Sequence, residues 1–232
     1  MKKYCLRFWP LYIGVTVIFL LLIAVGNTAV TVVTKSQPII RSTMIVIDAG
    51  HGGEDGGATS CTGILESQLN LEIALKLNAL CHLLGFETKM IRTSDVSVYT
   101  EGTTISAKKA SDLRRRVQIV NTTENAVLIS IHQNTFSDSR YSGAQVFYAE
   151  TDGSREFAEL LQQHLTLIDR GNHRHIKPAH NIYLMQHIKK TGVLIECGFL
   201  SNPSEEAMLR SAMYQKKLCS VIATGLCQYI NS

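Results

Sequence analysis

Apolar positions follow two regimes along this chain. From Phe8 to Val33 they run without a charged residue, behind Lys2, Lys3 and Arg7. A helix needs about 20 such residues to cross a bilayer, and positive charge ahead of it keeps that end in the cytoplasm. The pattern predicts a membrane-anchor or signal helix within residues 1–34. Ala24-Val25-Gly26 supplies small residues of the kind found at a cleavage site. KSQPIIRST, residues 35–43, is polar with one proline and reads as a linker.

Past the linker the apolar positions fall into short blocks. MIVID from Met44 reads as a buried strand. Glu66 to Leu84 carries Leu69, Ile73, Leu77, Leu80 and Leu84 at spacings of three and four, an amphipathic helix stopped by Gly85. FETKMI is a strand, residues 93–107 a polar loop, and Lys108 to Asn121 a helix with Leu113, Val117 and Val120 inward. VLISIH and AQVFYA are strands, a helix covers about 154–168, VLIE is a strand, and two helices follow, the second near Met213 to Ile230. Strands separated by helices predict an α/β domain over 44–232, its mostly parallel sheet covered on both faces. In such sheets chemistry gathers beyond the carboxyl ends of the strands. His51, His132 and Glu196 all stand at or just after such an end.

Composition adds limits. The 232 residues are 45% hydrophobic and 18% charged, which predicts a packed core. A net charge of +4, scattered along the chain, does not point to nucleic acid. Outside the N-terminal segment, Cys61, Cys81, Cys197, Cys219 and Cys227 are odd in number and show no CxxC spacing, so neither a disulfide framework nor a cysteine zinc site is indicated. Their apolar neighbours mark most of them as small buried hydrophobes.

VIDAGHGGEDGG, residues 46–57, poses the chemical question. A dinucleotide loop needs G-x-G-x-x-G opening a helix, but Asp55 stands in the sixth position behind Glu54, and no helix begins before Glu66. Two carboxylates would repel a pyrophosphate. A metal suits the stretch better: His51 and His132, with Glu66 between them in sequence, are the two-histidine, one-carboxylate set of an open catalytic zinc site. Glu196 ends an apolar strand, where a carboxylate is costly to bury without purpose, and it is placed to take a proton from water. A second cluster, His173, His175, His180 and His187, lies among Arg174 and Lys177 and reads mainly as a surface loop. KKASDLRRR, residues 108–116, reads as a solvated helix face, the alternative being attraction to an anionic polymer or membrane surface.

DAGHGGEDGGA, GILESQLNLEIA, RTSD, LISIHQN and GVLIECGFLSNPSE, in this order and spacing, resemble the zinc-dependent N-acetylmuramoyl-L-alanine amidases. EGTTISAKKASDLRRRV, SGAQVFYA and NIYLMQHIKKTGVLIECGFLSNPSE are most similar to the short, germination-specific type. The resemblance implies a single three-layer α/β domain with a mixed, mainly parallel sheet, and hydrolysis of the amide between muramic acid and L-alanine in peptidoglycan. It implies Zn2+ on His51, Glu66 and His132, with Glu196 as the catalytic acid/base. It further implies work outside the cytoplasm, in the forespore or spore envelope, where removing stem peptides from cortex leads to muramic-δ-lactam. The expected partners are peptidoglycan and, through the N-terminal helix, the membrane; an accessory protein is left open. A non-catalytic wall-binding domain and another zinc hydrolase remain the alternatives.

Overall fold

The computed structural model describes residues 43–169 and 171–232. The expected anchor and all of the linker but its last residue lie outside them. Among the described residues no helix is long and apolar enough to cross a membrane. In the described residues twelve elements follow one another: β1 (Met44–Ala49), α1 (Glu66–Leu83), β2 (Glu87–Met90), α2 (Ile105–Thr122), β3 (Ala126–Asn134), β4 (Gln145–Tyr148), α3 (Ser154–Ile168), β5 (Lys177–Pro178), α4 (Tyr183–His187), β6 (Thr191–Phe199), α5 (Pro203–Leu209) and α6 (Ala212–Ile230). The six strands form one sheet in the order β2-β1-β3-β6-β4-β5. All neighbours are parallel except β4 and β6, so the sheet is mixed and mainly parallel.

Because strand side chains alternate between faces, a sheet covered twice must be apolar in both parities. One parity, Ile45, Ile47, Ile129, Ile131, Val193 and Ile195, packs with Leu69, Ile73 and Leu77 of α1, Phe157 and Leu161 of α3, and Ile222 of α6. The other, Val46, Leu128 and Leu194, packs with Val120 of α2 and Leu184 and Met185 of α4. On this second face the apolar parity gives way to polar residues towards the carboxyl ends. Asp48 follows Val46, Ser130 and His132 follow Leu128, and Glu196 follows Leu194. The change of character on one face of three adjacent strands builds the site.

Three differences from the sequence reading concern the polar segments. The helix α2 begins at Ile105, capped by the Thr104 side chain, which accepts from the Ala107 amide at 3.2 Å. Its basic run is not simply a solvated face, because Arg116 is buried in an ion pair with Asp48. Of the other cations of the run, Lys108 pairs with Glu54, Lys109 with Asp55 and Arg114 with Glu101, while Arg115 donates to Gln118. The histidine-rich stretch contains β5 and α4, elements too short for periodicity to reveal.

Candidate metal centre

The loop after β1 turns at His51, whose φ of 61° is left-handed, an uncommon state for a residue with a Cβ. Two buried guanidiniums hold it there. Arg116 donates to Asp48, to the Ala49 carbonyl at 3.0 Å and to the His51 carbonyl at 2.8 Å. Arg92 donates to the carbonyls of Ala49 at 2.7 Å, Gly50 at 2.9 Å and Ser67 at 2.8 Å. Asp48 also accepts from Ser130 Oγ at 2.7 Å. Burial alone would raise the Asp48 pKa, but the charge of Arg116, with help from His132 and Ser130, holds it below its ordinary value. Two glycines of the loop are required by space. A Cβ on Gly50 would run into the His132 ring, and one on Gly57, at φ 69°, would stand 2.5 Å from Glu66 Oε2.

His51, Glu66 and His132 are thereby brought together, with one donor atom from each lying within 4.8 Å of the others. His51 Nε2 is 3.2 Å from Glu66 Oε2, and His132 Nδ1 is 2.9 Å from Glu66 Oε1. Glu66 opens α1 and is buried, at 3% exposure. Its carboxylate is fixed by the amides of Ala58 (3.0 Å) and Gln133 (3.1 Å) and by Asn70 Nδ2 (3.2 Å). Asn70 is itself held, donating to the Gly50 carbonyl at 3.2 Å and accepting from Gln133 Nε2 at 3.2 Å. Against the cost of burial, the two imidazoles keep the Glu66 pKa well below the ordinary carboxylate range. For His51, burial works towards the neutral ring, but Asp55 and Glu66 together raise its pKa to about 9. Negative charge is thus concentrated where the two imidazoles converge.

The donor set fits a zinc ion by its chemistry: two imidazole nitrogens and one carboxylate, the set that holds zinc in catalytic sites with an open fourth position. His51 Nδ1 donates to Asp55 Oδ2 at 2.9 Å, which leaves Nε2 aimed at the other donors. Glu196 stands beside them, its Cα paired in register with that of His132. Its Oε2 is buried without a hydrogen-bond partner among the described residues. Burial, with a smaller push from Glu66 and opposed by His132 and His51, raises its pKa to about 7. A carboxyl group that changes protonation near neutrality is suited to take and return a proton.

The second histidine cluster is not gathered. His173, His175, His180 and His187 are all exposed, and the trio above is the only group of metal-competent donors among the described residues. Asp55, Arg92 and the Asp48–Arg116 pair escaped the sequence reading. One signal was available: Asp48 is an acid inside an apolar strand, which calls for a buried cation. Another was that Arg116 lies four residues from both Asp112 and Val120, on the inward stripe of α2.

A three-donor centre with a buried carboxylate beside it, at the carboxyl edge of a parallel sheet, is the layout of a metallohydrolase. Residues 45–228 match the model of the N-acetylmuramoyl-L-alanine amidase family, and the chain belongs to that family. The germination-specific N-acetylmuramoyl-L-alanine amidase of Bacillus subtilis (strain 168) is 41% identical over 188 residues, covering 80% of this chain and 79% of that one. LytC, an N-acetylmuramoyl-L-alanine amidase of the same organism, is 30% identical and covers 88% of this chain but 40% of its own length. Among solved structures, the CwlD amidase of Clostridioides difficile, determined in complex with the GerS lipoprotein, superposes with a TM-score of 0.78 at 36% identity. It covers 82% of this chain and 98% of that one. The activity is accordingly that of an N-acetylmuramoyl-L-alanine amidase acting on peptidoglycan, outside the cytoplasm.

Proposed function

We propose that the chain cuts the muramoyl–alanine amide of spore-cortex peptidoglycan with zinc held by His51 Nε2, Glu66 and His132 Nδ1, and with Glu196 as acid/base. When bound, the ion supplies Lewis-acid polarisation of the scissile carbonyl and acidifies water. The remaining chemistry belongs to the chain. Glu196 takes the proton of the attacking water and returns it to the alanine nitrogen as the C–N bond breaks. The amides of Ala58 and Gln133 keep Glu66 from turning, and Asp55 keeps His51 in the tautomer that presents Nε2. The buried, unpartnered Glu196 oxygen beside the three donors supports this reading most strongly, since such an atom is expensive unless it meets a reacting group.

The cortex assignment rests on similarity to the germination-specific amidase. Residues 8–33 are proposed to hold the domain (44–232) at the membrane, and a lipoprotein partner, as in the C. difficile complex, is proposed for this chain as well. Glu196→Gln tests the acid/base directly. It is expected to keep zinc at the parent stoichiometry and to release stem peptides about 100- to 10,000-fold more slowly, read by mass spectrometry of digested cortex. Parent-rate release by that variant sinks the assignment.

A further inference from the structure

Beside the centre, on its β4 flank, lies a shelf that the acid/base and metal donors do not use. Phe136 and Tyr141, in the connection from β3 to β4, have ring centroids 4.5 Å apart, and Tyr141 and Phe199 are 6.3 Å apart. Phe136 is 49% and Tyr141 46% exposed. The Arg174 guanidinium lies over this group, 4.5 Å from the Phe199 centroid and 5.9 Å from that of Tyr141. Its Nε donates to the Ser142 carbonyl at 2.7 Å and its Nη1 to Gln145 Oε1 at 3.3 Å.

Both acceptors are neutral. Among the described residues no carboxylate comes within ion-pair distance of Arg174, and its Nη2 has no hydrogen-bond partner. Glu205 feels its charge from farther off, but that carboxylate is taken by the amides of Gly143 at 2.9 Å and Phe199 at 2.8 Å. Position completes the picture. His132 is in register with Glu196, and Glu196 with Gln145, the side chain to which Arg174 donates from the loop outside the sheet. A guanidinium fixed at two nitrogens, backed by rings and open at its third, is a preset fork for a planar anion.

We infer that Arg174 receives a free carboxylate of the stem peptide and thereby makes the enzyme prefer acidic over amidated stems. The inference rests on the reading of Glu196 and the three donors as the place where the amide is cut. The carboxylate in question belongs to the acidic residue that follows alanine, one residue from the cut amide, as Arg174 is one side chain from Glu196. The exposed rings of Phe136 and Tyr141 cover the apolar part of the same residue.

The test uses the full chain in mild detergent and two muramoyl dipeptides that differ only in a carboxylate or carboxamide on the second residue. The parent is expected to favour the acid by about tenfold to a hundredfold in kcat/KM, carried mainly by KM. Arg174→Gln is expected to bring that ratio close to one while keeping the parent's zinc content, and Arg174→Lys to restore part of it. Calorimetric binding of the same pair to Glu196→Gln, with and without Arg174→Gln, is expected to give the same ratios without turnover. A ratio near one in the parent, or one unchanged by Arg174→Gln, overturns the inference. Parent-rate turnover by Glu196→Gln would instead overturn the underlying reading, whatever the ratio shows.

Discussion

Two histidine-bearing regions of this molecule invite comparison. The strand-end centre has two histidines, and the loop running into α4 has four, yet only the former gathers donors into one place. In the loop, His187 donates through Nδ1 to the Tyr183 carbonyl at 2.8 Å and stacks on the Tyr183 ring at 4.0 Å. His180 has Glu150 at 3.7 Å, but the two side chains are 62% and 72% exposed, and among the described residues no hydrogen bond fixes the carboxylate. In the centre, the carboxylate of Glu66 is held by two amides and an asparagine, and the ring of His51 by Asp55. Histidine number is therefore a poor guide to where donors gather. What counts is a buried carboxylate whose orientation is decided before any ion arrives.

The largest expected effect puts the two regions side by side. His132→Ala should reduce bound zinc from one per chain to near none and abolish hydrolysis, whereas the triple change His173→Ala, His180→Ala and His187→Ala should leave zinc at one per chain. Elemental analysis of purified protein decides, and the opposite result would dissolve the comparison. Next is the support beneath the centre. Arg116→Met leaves Asp48 buried without its cation and should cost about 3–5 kcal/mol of stability, read from chemical denaturation of the two proteins. A loss below about 1 kcal/mol would mean that water or another group replaces the guanidinium. A smaller change tests the outer partner of His51: Asp55→Asn should weaken zinc affinity about 10- to 100-fold, measured by competition with a chelator.

The mildest prediction concerns acid. Because the folded pKa of Asp48 is held below its ordinary value, its contribution to stability is complete above about pH 4 and disappears as pH falls through the lowered folded value. Denaturation midpoints of the parent should therefore drop across that acid range. Asp48→Asn, already weaker at neutral pH, should show a flatter acid limb. Parallel curves would place the acid sensitivity in other carboxylates.

Much of this architecture could be read from apolar spacing. Strands such as MIVID and VLISIH are long enough for their runs to be diagnostic, and α1 has a clean three-and-four repeat. The same reasoning placed His51, His132 and Glu196 at strand ends, because each follows an apolar run directly. What stayed hidden depends on pairs distant in sequence. Arg116 meets Asp48 across 68 residues and Ser60 meets Glu206 across 146, and no local pattern encodes such partners. Arg174 reads in sequence as one cation among loop histidines, since its stack on Phe199 exists only once β6 is in place. The elements β5 and α4 were missed for a simpler reason: two and five residues are too few to show a period.

The strand order also has a consequence in time. The last strand to be made, β6, is inserted in the middle of the sheet, between β3 and β4. While the chain emerges, β1, β2 and β3 can pair as soon as residue 134 is free, bringing His51, Glu66 and His132 onto one edge. The pair β4–β5 has no neighbour to join until residues 191–199 arrive, because its one link to the remaining sheet is β6. Glu196 is carried on that same strand. A partly made chain thus has His51, Glu66 and His132 together but lacks Glu196, and the sheet closes in the step that delivers it.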